Sequence, residues 1–117
     1  MRVAMAVLLL VSLFAGPAGA MEADVLKKEL AYLHSIEGVK WVEFDRNWVY
    51  IGWAQVPPDI AMINNAAAMA GNRAINFGTH VWSVEASSAK PGWRPGDTPH
   101  ICNTTARKGK IESSTCR

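Results

Sequence analysis

The chain has 117 residues, with 12 lysines and arginines against 10 acids and a net charge of +2 when histidine is neutral. That length supports a single core and excludes a multidomain architecture. The near-neutral balance gives no general electrostatic footprint for nucleic acid.

The first twenty residues, MRVAMAVLLLVSLFAGPAGA, have the layout of a secretory signal peptide. Arg2 supplies the positive start, Val3 to Phe14 is an uncharged run, Gly16-Pro17 breaks it, and Ala18-Gly19-Ala20 offers small residues for cleavage after Ala20. The run is shorter than the roughly 20 apolar residues that span a bilayer. No cysteine follows, which argues against a lipoprotein. The expected organisation is therefore a signal peptide over 1–20, an α+β domain over 21–86, and a loop-rich extension over 87–117. The protein is expected to be secreted or periplasmic, with no stable membrane insertion after cleavage.

In the segment 24–37 (DVLKKELAYLHSIE), apolar residues fall at 25, 26, 30, 33 and 36. That spacing predicts an amphipathic helix, with Asp24 as N-cap and Gly38 as stop. Residues 39–54 alternate about DRN (45–47), which predicts a β-hairpin closed at Arg46-Asn47. In that register Asp45 faces Trp48, Phe44 faces Val49, Glu43 faces Tyr50, Val42 faces Ile51, and Lys40 faces Trp53. One face then holds Val42, Phe44, Val49, Ile51 and Trp53. The other holds Val39, Trp41, Glu43, Asp45, Trp48 and Tyr50.

Pro57-Pro58-Asp59 opens a second helix with a stripe of Ile60, Ile63, Ala67 and Ala70, ending at Gly71-Asn72. Its small residues leave room for large ones opposite, with Trp53, Phe44 and Phe77 as candidates. The segment 78–86 (GTHVWSVEA) reads as a third strand. SSAKPGWRPGDTP (87–99) is rich in proline and glycine and reads as a loop. The closing stretch from Ile101 reads as a short strand or a hairpin. Cys102 and Cys116 are the only cysteines; in an exported chain they are expected to form one disulfide, worth about 3 kcal/mol for its loop of about 15 residues.

The resulting fold class is a small two-layer α+β sandwich, helix-strand-strand-helix-strand: an antiparallel hairpin plus a third strand, with a disulfide-closed, loop-rich tail. The element order over about 24–86 resembles that of the BON domain, a small module of exported bacterial envelope proteins. No function is carried over from that resemblance.

Three sets of residues compete for a functional role. Trp41, Glu43, Trp48 and Tyr50 share the sheet face away from the helices, where aromatic rings suit protein contact. Charge offers another use for that face. Residues 21–86 hold five basic and eight acidic residues, and residues 87–117 hold six and two. The tail is thus suited to fold back, with Trp93 and Ile101 over the aromatics and Arg94, Arg107 or Lys108 against Glu43 and Asp45. A third use is a ligand platform for a sugar or peptide.

Asn72, Arg73 and Asn76 form a second set, an anion or peptide contact at the end of helix 2. The third set, Glu43 and Asp45 with His80, would serve a small secreted hydrolase. The three histidines make no local metal motif, and neither metal nor cofactor is expected. The leading expectation is an exported binding or accessory module of the envelope or secretome. Its partner is an unidentified protein or a second copy of itself. The hydrolase is the alternative.

Overall fold

Five strands form one mixed sheet in a computed structural model that describes residues 18–97 and 99–117. They are β1 (Val39–Asp45), β2 (Trp48–Trp53), β3 (Thr79–Glu85), β4 (Cys102–Arg107) and β5 (Lys110–Ser114), adjacent in that order. Helix α1 (Ala18–Glu29) continues into a 3₁₀ turn, Ala31–Ser35, and α2 (Ile60–Ile75) connects β2 to β3. Of the expected leader only Ala18, Gly19 and Ala20 lie among the described residues, as the first residues of α1. No described helix is long and apolar enough to cross a membrane.

The expected hairpin register holds from Val42–Ile51 to Asp45–Trp48, then breaks. A bulge between Val39 and Trp41 pairs Val39, not Lys40, with Trp53. Strict alternation would aim Lys40 at the helices, beside Val42 and Phe44. Burying an ammonium there would be costly. The extra residue lets Lys40 stay exposed and turns Val39 onto the helix side, where it packs against the core. Val39 is thus removed from the face assigned to it by pattern.

β2 and β3 run parallel, which requires a crossover, and α2 is that crossover. The loop-rich tail ends in the hairpin expected from Ile101, which supplies two further strands. β4 pairs antiparallel with β3 and β5 with β4, across a two-residue turn at Lys108-Gly109, both with positive φ. The disulfide joins Cys102, at the start of β4, to Cys116, just past β5. Among the described residues the element order therefore extends beyond the expected five elements to two helices and five strands.

The helices cover one sheet face. Leu26, Leu30 and Leu33 are fully buried there against Val49, Ile51, Trp53, Val81 and Ala106, with Ile60, Ala67 and Ala68 from α2. The first helix departs from its expected form. It starts before Asp24, which is exposed within α1 rather than capping it, and Val25 is 44% exposed. The 3₁₀ turn preserves the phase of Leu30 and Leu33.

α2 also runs past its expected stop. It ends at Asn76, whose φ of 63° is the left-handed cap conformation that asparagine tolerates. Gly71 is instead buried inside the helix, where a Cβ would come within 2.7 Å of Thr79 and 3.0 Å of Leu26. Its missing side chain sets how closely α2 approaches β3 and α1. Phe77, offered as core filler, is 57% exposed, because it follows the cap and leaves the layer.

The interior of this face carries one polar chain. Trp53 Nε1 donates to Ser83 Oγ (3.0 Å), and Ser83 donates to Asn64 Oδ1 (2.6 Å). Asn64 Nδ2 donates to the Val81 carbonyl (3.2 Å) and more weakly to Thr104 Oγ1 (3.4 Å). Each buried group finds a partner, so the network adds register specificity at little desolvation cost.

Candidate functional site

Alternation dictates what stands on the other sheet face. When Val49, Ile51 and Trp53 point to the helices, Trp48, Tyr50 and Gly52 point away; on β3 the same logic places His80, Trp82 and Val84 on that second face. The parallel register sets Trp48 beside His80 and Tyr50 beside Trp82. Four of the five tryptophans therefore gather here: Trp41, Trp48 and Trp82 from the sheet, and Trp93 from the loop after β3. Trp48 and Trp82 stack at 5.8 Å with their planes 24° apart, and Trp48 also lies 5.3 Å from the His80 ring.

Trp41 has a specific seat. Its indole lies against Gly52, directly across the hairpin, where any Cβ would overlap the ring. Glycine in the middle of a strand marks such a close approach.

Residues 86–97 form a strap across the middle of the face. Trp93, 4% exposed, sits 5.7 Å from Tyr50 edge-on and 6.1 Å from Trp82. Arg94 lies 5.0 Å above the Tyr50 ring and reaches Glu43 (3.8 Å) and Asp45 (3.6 Å). Glu43 also accepts the Gly92 backbone N–H. Burial raises the Tyr50 hydroxyl pKa, with Arg94 opposing the shift. Tail and body thus meet through Trp93 and Arg94. Ile101 turns instead to the helix side, and Arg107 pairs with Glu112 at 3.2 Å.

Of the expected contact set, Tyr50 is 1% exposed and lies under the strap, and Glu43 anchors the strap. Trp41 and Trp48 remain half-buried, one toward each end of the hairpin. Sequence reasoning did not join Trp82 to this face, and it offered His80 only as an enzyme residue with Glu43 and Asp45. Period-two alternation was a signal for Trp82, but only the parallel pairing of β3 beside β2 makes them neighbours. The Trp82 indole N–H is buried and meets no hydrogen-bond acceptor among the described residues.

The second set is only partly brought together. Asn72 and Asn76 line a recess of about 530 Å³ with Asn47, Phe77, Arg107 and Lys108, while Arg73 is exposed and outside it. The Asn72 amide is already committed, donating to the Phe77 carbonyl (2.5 Å) and accepting the Gly109 N–H (2.7 Å). It ties α2 to the β4–β5 turn.

For the third set, His80 hydrogen-bonds Thr105 Oγ1 at 2.9 Å, and both carboxylates face Arg94. Burial, then Arg107, lowers the His80 pKa below its ordinary 6.5, partly offset by Glu112. No described contact joins His80 to either carboxylate. Among the described residues no three His, Cys, Asp or Glu side chains cluster as metal ligands would.

No family model, curated protein or solved structure matches the chain. The resemblance in element order to the BON domain therefore stands alone, and the five-stranded sheet with its strap has to be read from its own chemistry.

Proposed function

We propose that the protein is an exported binding module that acts by protein–protein contact on its aromatic sheet face. The contact is centred on Trp48 and His80, beside the β1–β2 turn. The observation that carries this reading is the half-burial of Trp48 with the strap in place. Trp93 covers Tyr50, yet Trp48 keeps part of a large ring accessible at a site where the core is already complete on the opposite face. Tryptophan at the rim of a rigid apolar cluster is the usual material of an interface hot spot. Glu43 and Tyr50 take part by fixing the strap. The Cys102–Cys116 bond suits an oxidising compartment and thus export.

The test is photo-crosslinking of the oxidised chain, residues 21–117, in the envelope fraction of the exporting cell. A crosslinkable residue at position 46, next to Trp48, should yield a discrete adduct. The same residue at position 66, on the exposed side of α2, should not. Trp48→Ser should abolish the adduct while leaving the thermal unfolding midpoint within a few degrees. If Trp48→Ser unfolds the chain instead, Trp48 belongs to a second core and the reading fails.

A further inference from the structure

Beyond the strap, at the end of the hairpin opposite Trp48, lies a second open feature. A cleft of about 500 Å³ is lined by Trp41, Ala89 and Pro91 together with Lys40 and Lys90. This is within the range of small-ligand sites. Trp41 is a rigid platform because it rests against Gly52. Lys40 is exposed as the extra residue of the bulge, and bulges commonly re-aim a side chain at a working surface. Lys90 is exposed on the strap and lines the same cleft. Neither lysine takes part in an ion pair among the described residues, although the chain places its other strap cation, Arg94, on two carboxylates.

We propose that this cleft binds a carboxylated polysaccharide, with a sugar ring stacked on the Trp41 indole and ring carboxylates held by Lys40 and Lys90. The face of a sugar ring presents C–H groups, which suit the negative face of an indole. Lysine is a flexible point charge rather than a geometric fork, so it can follow carboxylates repeating along a chain. The cleft is open rather than enclosed, which suits a polymer lying across it. This site is separate from the Trp48 contact proposed above.

The experiment titrates the oxidised chain, residues 21–117, with an oligogalacturonate hexamer and follows tryptophan fluorescence. Saturable binding is expected, weakening as salt is raised because the two ammonium groups are exposed. Trp41→Leu and the pair Lys40→Gln/Lys90→Gln should each weaken it at least tenfold, while Lys110→Gln on β5 should leave it unchanged. The lysine pair lies outside both cores, so its effect is readable even if Trp41→Leu loosens the fold. The methyl-esterified hexamer and polyglutamate should both bind at least tenfold more weakly. Absence of oligogalacturonate binding, or binding unaffected by the lysine pair, overturns the proposal. So does equal binding of the ester, which would remove charge recognition, or of polyglutamate, which would remove sugar recognition.

Discussion

The two faces of the sheet are closed in different ways. The helix side is covered by regular elements with small packing residues, Ala67, Ala68 and Gly71, so large side chains interlock and even Asn64 is fully satisfied. The strap side is covered by an irregular segment held chiefly by Trp93, Ala89, Arg94 and the Gly92 N–H on Glu43, and it leaves Trp41, Trp48 and Trp82 half-buried. A helix brings its own hydrogen bonds and can be pressed against a sheet. A strap must leave its backbone near water, so it covers less. The first face supplies stability, and the second supplies surface.

Substitutions can break or sharpen that contrast. Leu30→Ala, at 0% exposure where α1 meets the 3₁₀ turn, should lower unfolding free energy by about 4 kcal/mol in a denaturant titration. Trp93→Ala should cost about 2–3 kcal/mol despite removing a larger side chain, because the strap can relax into the space. It should also raise acrylamide quenching of Trp48 and Trp82 while Trp53 stays shielded. Equal costs for Leu30→Ala and Trp93→Ala would mean that the strap is as integral as the helices.

Asn64→Ala should cost about 2 kcal/mol, since it leaves the buried Ser83 hydroxyl without its acceptor and takes a donor from the Val81 carbonyl. Arg94→Ala should cost only about 0.5 kcal/mol, because its ion pairs are partly solvated, yet it should loosen the strap enough to raise Trp93 quenching.

The smallest effect expected is with pH. The folded state lowers the His80 pKa, so the unfolded chain binds the proton more readily below about 6.5. Stability should be highest above that pH and fall as pH drops through 6.5 toward the folded pKa. His80→Gln should flatten this dependence in chemical denaturation at pH 5 and pH 7.5.

Much of the helix-covered face was legible in the sequence. The period of Leu26, Leu30 and Leu33 and the alternation about Asp45-Arg46-Asn47 are local signals, and the structure keeps them. The bulge left a faint one, a lysine falling in the buried phase of a strand. The misplaced end of α2 has a physical reason: Gly71 looks like a stop, but its value lies in a close approach to Thr79 and Leu26 that no local pattern records. The strap was readable as a charge imbalance between tail and body, which anticipated Arg94 on Glu43 and Asp45. It did not anticipate that Arg107 pairs with Glu112 on the neighbouring strand instead.

Composition and periodicity by themselves determined the α+β class, the hairpin register from Val42 to Ile51 and the expectation of one disulfide. These depend on neighbours in sequence and on burying apolar area, which any compact arrangement must satisfy. Only the tertiary structure decided that β3 lies parallel to β2, that the tail hairpin joins the same sheet beside β3, and that Trp82 and His80 join Trp48 on one face. Those outcomes depend on which distant segments meet. A period-two pattern says which side chains share a face of one strand, but it carries no information about which strand lies beside it.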